Sequence, residues 1–511
     1  MNALESRSLS EVLDKACAIY GNQIAVAGPT ELTYSALESK AASIAASLLA
    51  ANIVPNEPVL IAVTNTAPDL AAFYGVWKAG GVAVPLHAKA VSATVSDIVL
   101  RVGSRFLVRG EQAISLPEGI EGDGEEVVCW RSSPPGNKKI LQNAAYIIFT
   151  SGSTGVPKGV VLSHAAFATK LSSIQSVLPF TESKATLLVL QLTFSFGQWV
   201  TLLTLATGGK LIMMPRFDAI ESLKALVEHC AHRIAVVPTM MRAWAAANPA
   251  KTRQAFEEMN RTGCPELLIA GGEPLPAALG LQFRQRFPHM EIADVFGLTE
   301  TSTSDFILPP SKYDQHAGTI GWPTPGVQFR IIGDRGQQCG PGEPGELQIQ
   351  TRHIMNGYLD APEITSASFQ DGFMKTGDMG QMMENGTVAL IGRSKELIVR
   401  GGNKISPLEI ERVFSGHPNV AAALVTGMPD ALMGERIHLL IVPREGTAIS
   451  REELLKWGGS KLERYKLPDR IHFSDAVPVG KTGKADRQAL RMWITNAAET
   501  GEKVATGIIA K

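Results

Sequence analysis

Leu37, Ala41, Ile44 and Leu48 recur at helical spacing and predict a helix with one apolar face. The run PVLIAV, 58–63, reads as a short buried strand. Leu70, Phe73, Tyr74 and Trp77 make a second helical stripe, which Gly80-Gly81 stops, and VAVPL, 82–86, is strand-like again. Further apolar runs are TLLVL (186–190), KLIMM (210–214), RIAVV (233–237), ELLIA (266–270) and EIADVF (291–296), several of them separated by helical patterns such as SLKALVEHCA. Continuous apolar strands alternating with helices are the rhythm of parallel sheets, whose strands are buried on both faces. After about residue 315 that rhythm changes. GVQFRII, GELQIQ and GTVALIG are short strands between Gly, Pro and Asp turns, which predicts a β-rich subdomain over about 315–394. A shorter α+β pattern runs from about 396, and residues 497–511 carry little pattern. The expected fold class is α/β. A large N-terminal domain (1–394) of parallel-rich sheets, helices and the β-rich subdomain precedes a small α+β C-terminal domain (396–511).

Composition narrows the function classes. A chain of 511 residues exceeds a single core. Its net charge of −1 provides no field that would draw it to nucleic acid or an anionic membrane. The five cysteines (Cys17, Cys129, Cys230, Cys264, Cys339) have neither metal-ligand nor disulfide spacing, so we expect buried small hydrophobes in a reduced, cytoplasmic compartment. No signal-length apolar segment opens the chain and no apolar run reaches about 18 residues, so no membrane span is expected. The acidic, Gly-rich stretch GIEGDGEE, 119–126, reads as a solvated loop.

The densest candidate chemistry is TSGSTGVPKG, 150–159, after a predicted strand. Gly152 and Gly155 allow a sharp turn and close backbone approach to a ligand. Ser151, Ser153, Thr154 and the backbone N–H groups can donate to phosphate oxygens, and Lys158 adds positive charge. Pro157 stands where a Walker loop needs Gly, so this is a different phosphate loop; the plain alternative is a flexible linker.

The loop resembles the phosphate-contacting loop of the adenylate-forming superfamily, which includes acyl-CoA synthetases, nonribosomal peptide adenylation domains and luciferases. Further motifs resemble that family's in its own order. In AGGEPL, 270–275, the resemblance places the backbone turn of Gly271, Gly272 and Glu273 against adenine. In DVFGLTE, 294–300, it implies that Asp294 accepts from the adenine amino group and that Phe296, where Tyr is commoner, stacks on the base beside Gly297. Thr299 would donate to phosphate, and Glu300, with Thr150, would hold Mg²⁺. In MKTGDMG, 374–380, Asp378 would take both ribose hydroxyls, and in IGRSKELIVRGGNK, 391–404, Arg393 would reach ribose or phosphate. Lys395 falls at the family's hinge, and Gly401 and Gly402 where the pantetheine arm of the acceptor passes. In VGKTGKADRQALR, 479–491, Lys484 aligns with the lysine that bridges substrate carboxylate and nucleotide; Lys481 is the nearest competitor.

The resemblance implies a two-step reaction. A carboxylate attacks the α-phosphate of ATP and expels pyrophosphate; a thiol, or rarely an amine, then displaces AMP. Lys484, Thr299 and Glu300 would form the catalytic set, with Lys158 handling pyrophosphate. The C-terminal domain would rotate about Lys395 between the two steps. LTFSFGQWV, 192–200, occupies the stretch that lines the acid pocket in relatives. Gly197 stands where amino-acid-activating members carry Asp, and a buried ammonium without a carboxylate would be costly. Where many acyl-CoA synthetases place a His in this stretch, this chain has none. Phe194, Phe196, Trp199, Met240, Ala270 and Val295 suggest an apolar pocket for a fatty, cyclic or aromatic acid, although some could be core. CoA is the expected acceptor, with carrier-protein phosphopantetheine or an amine as alternatives. A monomer or homodimer is expected. A nucleotide-binding regulator with an inactive site is the reading from another class.

Overall fold

The computed structural model describes residues 3–500, apart from 29, 91, 110–126, 130–135, 137, 151–156 and 481–483. The loop 119–126 and most of the 497–511 tail therefore lie outside the described residues.

The apolar runs of the first half build two sheets. One has nine strands, with Ile24–Ala27, Lys210–Met213, Ala185–Leu188, Arg233–Val236, Leu267–Gly271 and Glu291–Phe296 adjacent in that order and mutually parallel. Antiparallel strands finish its edges, among them Phe306–Leu308 beside Glu291–Phe296. The other has seven strands, whose parallel centre includes Pro58–Val63 and Val82–His87. It ends in the antiparallel hairpin Ala144–Thr150/Lys158–Ser163, with Gly357–Tyr358 added at the edge.

One main core joins both sheets to the helices between them. Leu37, Ala41, Ile44 and Leu48 lie on the helix Tyr34–Ala50 and are all buried. The stripe at Leu70, Phe73, Tyr74 and Trp77 belongs to the helix Ala67–Lys78, which is buried almost all round, Ala71, Ala72 and Val76 included. Its Asp69 is buried too, and accepts N–H bonds from Thr64 (2.9 Å) and Thr66 (3.0 Å) at the helix start.

The strands Val327–Ile332, Pro344–Thr351, Phe369–Gln370, Phe373–Met382 and Val388–Arg393 form a separate antiparallel sheet with its own core. The C-terminal region is a smaller five-stranded sheet, Ile398–Arg400 to Arg470–Phe473, packed with the helices Pro407–Ser415 and Arg451–Gly459. It is tied to the rest by Arg412 donating to the Leu390 carbonyl (2.7 Å), by Ser406 donating to the Ile391 carbonyl, and by a Lys404–Asp334 ion pair (2.9 Å).

The cysteines correct one expectation. Cys17, Cys264 and Cys339 are buried, but Cys129 and Cys230 are exposed. Cys129 ends an edge strand on its outward side, and Cys230 sits in the turn after the helix Ala219–Glu228. No helix among the described residues is long and apolar enough to cross a membrane.

Candidate active site

Ligands of open α/β sheets bind beyond the carboxyl ends of the parallel strands. Leu267–Gly271 and Glu291–Phe296 end side by side there, with Ala270 opposite Asp294 and Gly271 opposite Val295. Strand alternation sends Asp294 and Phe296 to one face and Val295 to the other. Asp294 is only 4% exposed, and burial holds its carboxyl well above the usual range. Phe296 packs edge-on against Phe306, and Phe196 and Val295 close around Gly271.

The chain then folds back sharply. A Cβ on Gly297 would sit 2.1 Å from the Ser304 nitrogen, so only glycine fits. The turn carries a short 3₁₀ segment, Thr299–Thr301. Thr299 Oγ1 lies 3.3 Å from Ser195 Oγ at the start of the helix Ser195–Ala206. Glu300 Oε1 accepts from the Tyr358 hydroxyl at 2.8 Å, and the Lys158 ammonium lies 4.9 Å from the centre of the Tyr358 ring. Thr150 pairs with Lys158 across the hairpin. Thr150, Lys158, Tyr358 and Glu300 therefore form one contiguous group, whereas Ser151, Gly152, Ser153, Thr154 and Gly155 lie outside the described residues.

On the antiparallel sheet, Asp378 faces Arg393 across neighbouring strands, Oδ1 to Nε at 3.1 Å. Burial pushes the Asp378 carboxyl up to about 6, against the pull of Arg393. Its buried Oδ2 has no hydrogen-bond partner among the described residues. A carboxylate with one oxygen paired and the other available suits hydroxyl donors.

Lys484 arrives from the C-terminal region. The Ala485 N–H donates to Glu273 Oε1 at 3.1 Å, anchoring the segment to the large domain. Glu273 also accepts from the Thr239 hydroxyl (2.8 and 2.9 Å) and pairs with Arg242 at 3.3 Å. Lys484 lies over Gly272, its Nζ 3.4 Å from where a Cβ there would stand. Burial lowers the lysine's pKa; Glu273 and Asp378 oppose that shift and Arg393 adds to it. Gly272, Glu273, Asp378, Arg393 and Lys484 thus share one electrostatic environment, while Lys481 lies outside the described residues.

The acid-pocket residues divide. Phe194 precedes the helix Ser195–Ala206, and Phe196 stacks on Trp199, centroids 5.7 Å apart. Trp199 and Ala270 have no exposed surface and belong to the core, where Met240 and Val295 are also mostly buried. A Cβ on Gly197 would meet the Gln191 carbonyl at 2.5 Å, so loop packing holds glycine at this position. Lys395 lies in the 3₁₀ turn Ser394–Glu396, whose Glu396 pairs with Arg487 at 3.2 Å. Gly401 and Gly402 form the exposed tip of the hairpin Ile398–Arg400/Asn403–Ile405.

Sequence reasoning missed Ser195, Thr239, Arg242 and Tyr358. Thr239 and Arg242 had a usable signal, since they sit in the first turns after the strand Arg233–Val236. Tyr358 had only an aromatic after Gly357, because its partner Glu300 is distant in the chain.

A family model described as AMP-binding enzyme matches residues 13–359, and one for the C-terminal domain of these enzymes matches 409–484. The chain is 29% identical over 464 residues to a feruloyl-CoA synthase of Amycolatopsis, covering 89% of this chain and 93% of the relative. It is 30% identical over 480 residues to the fatty acid–[acyl-carrier-protein] ligase ScoC of Streptomyces coeruleorubidus, covering 90% and 91%. The ATP-bound crystal structure of MatB from Rhodopseudomonas palustris superposes with a TM-score of 0.82 at 25% identity, covering 97% of this chain and 99% of that one. Its motifs, its fold and the family match together show that the chain belongs to the AMP-binding enzymes of the adenylate-forming superfamily and is an acid-activating, AMP-forming ligase.

Proposed function

We propose that the protein activates a fatty, cyclic or aromatic carboxylic acid without an α-ammonium, and then passes the acyl group to CoA. The substrate carboxylate oxygen bonds to the α-phosphorus of ATP as the bond to pyrophosphate breaks. The thiol sulfur next attacks the acyl carbon, AMP leaves, and the thiol proton goes to solvent.

The observation that carries this reading is Lys484 held against Gly272 by the Glu273–Ala485 bond. An ammonium there offsets the repulsion between carboxylate and triphosphate, which dominates the barrier to the first step. The free Oδ2 of buried Asp378 suits a ribose hydroxyl, with Arg393 beside it for ribose or phosphate. Asp294 and Phe296, on one face of their strand, are assigned to adenine, as is the backbone of Gly271 and Gly272. Lys158 is assigned to the departing pyrophosphate, beside Thr150.

Glu300 fits Mg²⁺. A lone carboxylate at a phosphate site suits a hard cation that takes its remaining ligands from water and substrate, and the described residues contain no competing cluster of three His, Cys, Asp or Glu. Bound there with Thr150, the ion would neutralise phosphate charge. Phe196, Val295 and Met240 line an apolar side for the acid, and Phe194, Gly197, Trp199 and Ala270 back it.

Lys395 serves as the hinge, and Gly401-Gly402 as the passage for the thiol arm once the small domain has turned. A carrier-protein thiol is the second reading of the acceptor, favoured by the 30% identity to an acyl-carrier-protein ligase. The test is to screen carboxylic acids for ATP-dependent pyrophosphate release, and then to offer CoA, a carrier protein or amino acids with each acid that reacts. The reading expects release with apolar acids and a thioester with CoA. Release with no acid would overturn the reaction, and product with the carrier protein alone would overturn CoA as acceptor.

A further inference from the structure

A fully buried ion pair lies behind the catalytic turn. Lys170, on the helix His164–Val177, meets Asp305 at 2.8 Å, and neither side chain has exposed surface. Lys170 Nζ also reaches the Ser304 carbonyl at 3.4 Å. The other Asp305 oxygen accepts the hydroxyl of Thr301, the residue directly after Glu300.

The intervening backbone is unusual. Ser302, Thr303 and Ser304 have φ of 57°, 71° and 42°, three consecutive non-glycine residues in the left-handed region. Such a run persists only where its surroundings over-determine it. Here Ser302 Oγ donates to the His353 carbonyl (2.8 Å), Thr303 N–H to the Leu298 carbonyl (2.8 Å), and Thr324 Oγ1 to the Ser304 carbonyl (3.3 Å). On the other side, Met355 N–H donates to the Glu300 carbonyl (2.7 Å) and Tyr358 holds the Glu300 side chain. Glu300 is therefore held from both directions, and the tie through Thr301 ends on charges that an apolar core would not need.

We propose that the Lys170–Asp305 pair is a positioning device which, through Thr301, aims the Glu300 carboxylate at the metal of ATP·Mg²⁺. The proposal rests on the assignment of Glu300 to Mg²⁺ made above. Lys170, Asp305 and Thr301 are fully buried, so they are positioning residues whose effect on the site runs through Glu300. Groups that orient a metal ligand from behind typically govern on the order of 10–100-fold in metal affinity.

Two variants test it. Thr301→Val keeps the shape and removes the hydroxyl while leaving the ion pair. The paired Lys170→Met/Asp305→Asn variant removes both charges, so that neither is buried alone. ATP binding is measured by calorimetry with EDTA and with saturating Mg²⁺, alongside AMP binding and thermal melting. Wild type should bind ATP more tightly with Mg²⁺. In both variants that gain should shrink on the order of tenfold or more, with metal-free ATP and AMP affinities retained. A merely structural pair would lower the melting temperature and leave the Mg²⁺ gain intact. A full gain in either variant, or no gain in wild type, overturns the proposal; if the double variant does not fold, Thr301→Val decides alone. Failure of every acid to release pyrophosphate would sink the proposed reaction, while the variants would still decide the role of the pair.

Discussion

Lys170 is fully buried and Lys484 half-buried, and the two are held in opposite ways. Lys170 meets the Asp305 carboxylate at 2.8 Å in the core. Lys484 is drawn into the candidate site by a backbone bond from its neighbour Ala485, and among the described residues no carboxylate lies within ion-pair distance of its ammonium. The nearby Glu273 already serves Thr239, Arg242 and the Ala485 N–H. Burial lowers the pKa of both lysines, but only Lys170 has a full counter-charge built into the fold. The difference separates two uses of a desolvated cation. One with its partner supplied holds the turn behind Glu300, and one without suits an anionic ligand.

The largest effects should split along that line. Lys484→Met should lower acid-dependent pyrophosphate release by about 10²–10³-fold or more. It should leave the urea midpoint unchanged and spare acyl transfer from supplied acyl-adenylate. Lys170→Met should strand Asp305 in the core, costing on the order of 3–5 kcal/mol of stability in urea denaturation. If Lys484→Met destabilised as much as Lys170→Met, or abolished both half-reactions, the contrast would fail.

The next test concerns two segments of the small domain. Lys484 meets the large domain while the Gly401–Gly402 tip is exposed. In the proposed reaction each serves one step, and the domain turns between them. Lys395→Pro removes one backbone donor and restricts the dihedral at the proposed hinge. Pyrophosphate exchange should survive and CoA-dependent product formation should collapse. Equal losses in both assays would place the hinge elsewhere.

A milder effect concerns Asp378, the carboxylate proposed for the ribose. Asp378 is pushed up to about 6 by burial, so it protonates as pH falls through that value and loses its role as an ionised acceptor. ATP affinity should then weaken below about pH 6, approaching about tenfold per pH unit, and Asp378→Asn should be weak and flat across the same range. An unchanged slope in the variant would remove Asp378 from the explanation.

How much of this was legible beforehand depends on the range of the interaction. The strands at 58–63 and 291–296 stand where their apolar runs read, because a strand buried on both faces announces itself locally. Runs such as 186–190 ended early, at Leu188, since the apolar residues continue into the loop before the helix Ser195–Ala206. Periodicity revealed one face of Ala67–Lys78, yet the helix is buried almost all round, because it packs between the seven-stranded sheet and the helices Leu9–Tyr20 and Tyr34–Ala50. Asp378 and Arg393 lie in recognisable motifs, so their pairing needed only the hairpin between them. Tyr358 on Glu300 and Glu273 on Ala485 join residues far apart in the chain, and no local spacing foretells such contacts. Lys170 was invisible for a further reason: a lysine in an amphipathic helix reads as solvent-facing, and its burial is made tolerable by Asp305, 135 positions away in the chain.

The finest test asks whether Glu273 tunes Lys484 or only anchors its backbone. The Glu273 carboxylate raises the lysine's pKa against the downward pull of burial. In the proposed role adenylation needs the Lys484 ammonium, so pyrophosphate exchange should fall as pH rises through that pKa. Glu273→Gln keeps an acceptor for Ala485 N–H but removes the charge, so the lysine should deprotonate sooner. The alkaline limb should therefore move to lower pH, with the plateau rate nearly retained. In Thr301→Val, which acts on Glu300 and leaves Lys484 untouched, the limb should stay where it is. A Glu273→Gln profile that lost height without moving would make Glu273 an anchor alone, and the ammonium's charge would then depend on the nucleotide that binds beside it.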